Sequence, residues 1–124
     1  MLDFSNSKIL IVGDVMLDKY YFGKVDRISP EAPVPIVNIQ KEESRLGGAS
    51  NVANNIVSLG GHSLLCGVIG HDLFGKEIER ISRHKNIDTF LLKTSSPTIT
   101  KARIIGGKQQ IVRVDYEDKS ELNA

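Results

Sequence analysis

The fold is decided by residues 47–69, which read Gly47-Gly48-Ala49-Ser50-Asn51-Val52-Ala53-Asn54-Asn55-Ile56-Val57-Ser58-Leu59-Gly60-Gly61-His62-Ser63-Leu64-Leu65-Cys66-Gly67-Val68-Ile69. Ala49, Val52, Ala53, Ile56, Val57 and Leu59 recur at helical spacing and the pattern stops at Gly60-Gly61, so this half is a helix with a glycine terminator. His62 to Ile69 is then an apolar run of strand length. Upstream, Lys8 to Val12 is a continuous apolar run ending at Gly13, the pattern of a strand buried on both faces of a parallel sheet. Downstream, Asp72 caps a helix from about Leu73 to Arg83, and Ile87 to Leu92 forms a third strand. Strand, helix, strand, helix, strand predicts an α/β fold with a parallel sheet and right-handed crossovers.

Two segments do not fit that alternation. Lys19 to Val25 and Val34 to Gln40 are short, β-branched and aromatic, and Pro30, Pro33 and Pro35 argue against central strands there. They predict a small, partly exposed sheet or flap that leaves the main sheet and returns to it. Ile99 to Ile105 and Gln109 to Tyr116 alternate around Gly106-Gly107-Lys108 and predict a β-hairpin, after which Glu117 to Ala124 is polar. Three parallel strands with a hairpin added make a small, poorly covered sheet, so the expectation is an incomplete domain.

Composition narrows the function classes. The 124 residues, 40% hydrophobic and 25% charged, suit one globular domain or part of one. Sixteen Lys and Arg against fifteen Asp and Glu leave a formal charge of +1, interspersed along the chain, which disfavours nonspecific nucleic-acid binding. The longest uncharged apolar stretch, Leu64 to Gly70, is too short to span a membrane, and Met1 to Ser7 carries Asp3 and no hydrophobic signal region, so a cytoplasmic location is expected. The single cysteine, Cys66, excludes an intrachain disulfide and lies in an apolar run where an inert thiol is expected. His62, His71 and His84 lack metal-ligand spacing.

Several constellations can carry chemistry. Gly47 and Gly48 open a helix after an extended segment, which lets backbone N–H groups approach an anion or polyol; the same residues also suit an ordinary tight helix start capped by Ser50. Asp14 and Asp18 follow the carboxyl end of the first strand, where open α/β sheets bind ligands, and can accept hydrogen bonds from hydroxyls or serve as turn residues. Asp72 suits a helix cap. In the hairpin, alternation puts Gln109, Ile111, Arg113 and Asp115 on one face, near Lys101 and Arg103. Arg and Lys there suit a phosphate and Gln and Asp suit hydroxyls, although a solvated outer face has the same pattern. Neither G-x-x-x-x-G-K-[ST] nor a post-strand G-x-G-x-x-G is present.

Together these residues resemble the ribokinase-like (PfkB) carbohydrate kinases over nearly the whole chain. Gly47-Gly48-Ala49-Ser50-Asn51-Val52-Ala53 is similar to that family's first signature, Gly13 through Asp18 to its opening strand with the sugar-binding Asp, and Gly70-His71-Asp72 with Gly75 to a second recurrent turn. Three strings sharpen the resemblance to one branch, in which a kinase of D-glycero-β-D-manno-heptose 7-phosphate is joined to a heptose-1-phosphate adenylyltransferase. They are residues 12–18, residues 27–35, and Thr98-Ile99-Thr100-Lys101 followed by Gln109 through Asp115. The resemblance implies transfer of the γ-phosphoryl group of ATP, with Mg²⁺, to the anomeric hydroxyl, towards ADP-heptose and the lipopolysaccharide core. It places Asp18 on sugar hydroxyls and Gly47, Gly48 and Asn51 in the sugar pocket, with residues 19–40 as a lid. Exposed flap edges can add to a partner's sheet, so a homodimer through the lid is expected. Physical inference adds Asp14, Gln109 and Asp115 for hydroxyls and Lys101, Arg103 and Arg113 for the 7-phosphate. The family's second signature, whose Asp is the general base, has no counterpart here, nor do the ATP and Mg²⁺ motifs, so the chain is expected to be an inactive N-terminal portion of the kinase that does not bind ATP tightly. A noncatalytic module that binds sugar phosphate or pairs through its flap, and a purely structural fragment, are the other readings.

Overall fold

A computed structural model describes residues 2–119. The strand β1 (Lys8–Val12) is followed by β2 (Val15–Ile28), β3 (Pro35–Gly47), the helix α1 (Gly48–Ser58), β4 (His62–Gly70), α2 (Leu73–His84), β5 (Asp88–Thr94), β6 (Ile99–Gly106) and β7 (Gln109–Tyr116). The parallel α/β unit read from residues 47–69 is present: β1, β4 and β5 form a parallel sheet in the order β1-β4-β5, with Lys8 opposite His62 and Leu64 opposite Asp88. Residues 120–124, part of the polar ending, lie outside the described residues.

The flap and the hairpin form a second sheet together. Its order is β3-β2-β6-β7, with β2 antiparallel to β3, β2 parallel to β6, and β6 antiparallel to β7. The hairpin therefore does not add to the parallel sheet, as the alternation alone suggested; Met16 pairs with Ile99 and Gly23 with Gly106. The flap segments are also longer than their β-branched cores. β3 continues through Lys41-Glu42-Glu43-Ser44-Arg45, a charged stretch with no apolar alternation, because ladder pairing with β2 and polar contacts replace burial there; Lys19 of β2 lies 2.9 Å from Glu42, and Lys41 and Arg45 flank Glu43 within β3. Pro30 and Pro33 fall in the β2–β3 connection and Pro35 is the first residue of β3, an edge strand, where a missing N–H costs the ladder least.

The core lies between the two sheets and the helices. Val15, Leu17 and Leu46 come from the second sheet, Leu65 and Ile69 from β4, Ala53 from α1, and Ile78 and Ile81 from α2. Burial of β1 on both faces is not observed: Leu10 is 62% and Val12 74% exposed, and only Ile11 packs on the core. The reason is positional. β1 is an edge strand, and both helices pack on the face that carries Ile11, Leu65 and Ile69, leaving Leu10, Val12, Leu64 and Phe90 uncovered by described residues.

Both helices start and stop as their sequences dictate, with one exception. α1 ends at Ser58 with Leu59 as its C-cap, and the next residue, Gly60, has a φ of +90°, the left-handed conformation that glycine adopts without strain. Its N-cap is Gly47 and not Ser50; the buried Ser50 hydroxyl lies inside the first turn, 2.6 Å from the Gly47 carbonyl oxygen and 3.1 Å from that of Met16. α2 is capped by Asp72, whose Oδ1 accepts the Gly75 N–H at 2.8 Å. The cap also ties the sheets together. Asp72 Oδ2 accepts the Thr98 N–H at 2.8 Å, the Thr98 hydroxyl donates to Asp72 Oδ1 at 2.7 Å, and Thr98 Oγ1 accepts the Gly70 N–H at 2.9 Å. Burial opposes ionisation of Asp72, but these donors outweigh it and hold its carboxyl below the usual carboxylate value. No helix among the described residues is long and apolar enough to cross a membrane.

Candidate functional site

Pairing in register arranges one face of the second sheet in rows. The first row runs Arg45, Asp18, Lys101, Asp115; the second Glu43, Tyr20, Arg103, Arg113; the third Lys41, Phe22, Ile105, Gln110. Five cations and three carboxylates share this face, a surplus of two positive charges on a chain whose formal charge is +1. Alternation in β2 gives this face its polar residues, while Val15 and Leu17 point the other way into the core.

Each carboxylate is held by a cation beside it. Asp18 Oδ1 lies 2.7 Å from Arg103 Nη1, with both side chains about three-quarters buried, and this contact keeps the Arg103 guanidinium above its ordinary value. Asp115 sits 2.8 Å from Arg113 and 3.6 Å from Lys101; burial works against its ionisation, but these two cations leave its carboxyl lowered. Lys41 and then Arg45 lower Glu43. Arg103 and Arg113 are direct cross-strand partners, and like charges in that position repel. Each is drawn sideways to its own carboxylate.

At the other end of the first row, the paired glycines bring α1 against Asp18. A Cβ on Gly47 would stand 2.7 Å from Asp18 Oδ2, so glycine there leaves room for the carboxylate at the helix start, where negative charge is favoured. Gly48 has a φ of +53°, and a Cβ on it would stand 2.5 Å from the Asp14 carbonyl oxygen, which accepts the Ala49 N–H at 2.9 Å. The result is a cleft of about 420 Å³ lined by Asp18, Arg45, Gly47, Gly48, Asn51, Asn54 and Lys85, among others. A surface of carboxylate, amide and backbone groups in one concavity, beside paired arginines, can hold a polyol that carries an anionic group.

The structure thus brings Asp18, Gly47, Gly48 and Asn51 into one cleft and sets Lys101, Arg103, Arg113 and Asp115 on the adjoining sheet face. Asp18 is the fourth residue of β2 and not a loop residue after β1. Asp14 is not with it: it lines a separate cleft of about 510 Å³ with Gly67 and Thr94, at the carboxyl ends of the parallel strands. Gln109 is remote as well. A register shift between Ile104 and Ile105 puts Gln110 opposite Ile105, so strict alternation from Gln109 to Arg113 fails. Gln109 pairs with Gly106, which pairs with Gly23, five residues along β2 from Asp18, or roughly 17 Å at strand rise.

Arg45, Tyr20, Asn54 and Lys85 were not marked by sequence reasoning. The signal for Arg45 was its place two residues before Gly47 on an extended segment, which points it to the same side. That signal is legible only once β3 is known to run as far as Gly47.

A family model described as pfkB family carbohydrate kinase matches residues 6–124. The chain is 50% identical over 118 residues to D-beta-D-heptose 7-phosphate kinase of Bordetella bronchiseptica, covering 94% of this chain and 38% of that protein. It is 53% identical over 119 residues to bifunctional protein HldE of Helicobacter pylori, covering 94% of this chain and 26% of that protein. The chain therefore spans well under half the length of these relatives. Among solved structures, a carbohydrate kinase from Agrobacterium tumefaciens superposes with a TM-score of 0.69 at 17% identity, covering 87% of this chain and 34% of that one, a likeness of fold.

Proposed function

The chain belongs to the pfkB family of carbohydrate kinases, and from that membership we propose that it is the sugar-binding portion of an enzyme that phosphorylates D-glycero-β-D-manno-heptose 7-phosphate. In this reading the γ-phosphoryl group of ATP passes to the anomeric hydroxyl, on the way to ADP-heptose and the lipopolysaccharide core in the cytoplasm. The observation that supports it is the adjacency of Asp18, in a cleft with Gly47, Gly48 and Asn51, to the opposed Arg103 and Arg113. The name of one relative half identical to this chain, D-beta-D-heptose 7-phosphate kinase, points to the same substrate.

The residues divide the sugar phosphate between them. Asp18 accepts hydrogen bonds from ring hydroxyls, Asn51 and the Gly47-Gly48 backbone line the ring, and Lys101, Arg103 and Arg113 take the 7-phosphate, with Asp115 orienting two of those cations. Asp14 lines the neighbouring cleft and Gln109 lies further along the hairpin, so this reading gives neither a contact with the sugar. Residues 19–40 act as the lid, carried on β2 and β3. Magnesium and ATP supply charge neutralisation and the phosphoryl group in such reactions. The steps assigned to this chain are binding and orientation of the sugar. By itself the chain is inactive on this reading, and ATP-dependent turnover calls for a separately made C-terminal portion.

Isothermal titration of the purified chain with heptose 7-phosphate tests this reading. Saturable binding of the sugar phosphate, with none of ATP–Mg²⁺, is expected. A folded chain that ignores heptose 7-phosphate would overturn the assignment. β3 is an edge strand of 13 residues, and pairing of two lids through it gives a homodimer; equilibrium sedimentation of the same sample should show the dimer, and a monomer at all concentrations would exclude it.

A further inference from the structure

Tyr20 occupies the centre of the charged face, and two arginines from different strands converge on its ring. The guanidinium carbon of Arg45 on β3 lies 4.7 Å from the ring centroid and that of Arg103 on β6 lies 5.2 Å away. Both distances are inside the ~6 Å range over which a cation is attracted to an aromatic face. Phe22 stacks beside Tyr20 at 6.1 Å with an interplanar angle of 10°, so the ring is itself braced. A guanidinium is a planar fork, and a ring contact limits its orientation while leaving N–H groups free to donate. Those groups are available here. Among the described residues, Arg45 gives only Nη2 to Glu43, and Arg103 gives only Nη1, to Asp18 and to the Lys101 carbonyl oxygen.

Arg45 also lines the cleft that holds Asp18, Gly47 and Asn51, so a ligand whose hydroxyls reach Asp18 has this arginine within the same concavity. We infer that Tyr20 is the positioning residue of a two-arginine clamp, Arg45 with Arg103, that recognises the phosphate of the sugar substrate and makes the site selective for phosphorylated over unphosphorylated sugar. The inference rests on the sugar-phosphate reading above and deepens it. The ring touches the arginines and not the ligand. It acts by holding two forks that would otherwise lose rotamer freedom on binding, and fixed donors bind an oxyanion with less entropic loss.

Calorimetric titration of the full chain with heptose 7-phosphate, unphosphorylated heptose and inorganic phosphate tests it, using Tyr20→Phe, Tyr20→Leu and Arg45→Met. Tyr20→Phe keeps an aromatic face and should bind all three ligands as the unaltered chain does. Tyr20→Leu and Arg45→Met should each weaken heptose 7-phosphate and inorganic phosphate about tenfold, through loss of the ring contact that orients a donor or of the donor itself, and weaken unphosphorylated heptose by a smaller factor, so that the preference for phosphorylated sugar falls. Arg45 is exposed at the sheet edge, so its variant keeps the proposal testable if Tyr20→Leu fails to fold. Unchanged heptose 7-phosphate binding by folded variants, or equal losses for phosphorylated and unphosphorylated sugar, would refute the clamp. Phosphate binding that depends on Tyr20 and Arg45 without preference for heptose 7-phosphate would uphold the clamp and sink the heptose assignment. A folded unaltered chain that binds none of the three ligands overturns both.

Discussion

Asp18→Ala is expected to lower affinity for heptose 7-phosphate roughly 100-fold, the loss of two hydrogen bonds from sugar hydroxyls to a carboxylate. The substitution also removes the partner of Arg103 and one of three negative charges on the face, so inorganic phosphate should bind at least as well as before. The two ligands thus move in opposite senses. A general loss of structure would weaken both, and a melting curve separates that case further. Because the carboxylate is about three-quarters buried against a guanidinium, Asp18→Asn serves as the milder variant: it keeps the shape, retains one acceptor oxygen and should fall between the other two. If Asp18→Ala, shown to be folded, titrated with heptose 7-phosphate like the unaltered chain, the hydroxyls would be bound elsewhere.

Asp72→Ala carries the second large effect, and it falls on stability. It removes a helix cap, which costs about 1 kcal/mol, and strips the acceptor from the Thr98 N–H and hydroxyl at a buried residue, which costs about 2 kcal/mol more. A loss of about 3 kcal/mol, or roughly 10 °C in Tm, is expected. The sign of its pH dependence follows from the direction of the Asp72 shift. Its folded-state carboxyl lies below the unfolded value of 3.8, so its contribution is fully present above that value and disappears as the pH falls from 3.8 through the lower folded value. Urea midpoints should therefore separate the two chains widely at about pH 6 and less at about pH 3. A gap that stayed constant over that range would mean that the charge on Asp72 does not matter and that only its shape does.

Asp72 shows why one part of the fold was legible and another was not. Its capping role followed from an Asp ahead of a helical apolar pattern, with the donor three residues away. Its bond to Thr98, 26 residues on, left no local trace, because nothing in the spacing of residues 70–75 says which later loop will arrive. Arg45 and Tyr20 divide the same way. The alternation of β2 places Tyr20 on the Asp18 side, whereas the stretch of β3 that carries Arg45 has no apolar periodicity and is strand only because β2 is there to pair with it.

From the sequence alone came the order of the elements, the parallel α/β unit, the glycine stop of α1 and the Asp72 cap. Each depends on spacing within one or two turns or strands, where steric preference and hydrophobic periodicity act directly. The grouping of Asp18 with Gly47, Gly48 and Asn51 was implied by the resemblance to the carbohydrate kinases and not by spacing. Tertiary structure decided the rest: the parallel pairing of β2 with β6, the bulge that turns Gln109 away, the separation of Asp14 from Asp18, and the exposure of β1 at a sheet edge. Those outcomes depend on which distant strand supplies the ladder partner. Periodicity says which side of a strand is apolar, but the partner is chosen by packing and closure over some eighty residues, and that choice has no local signature.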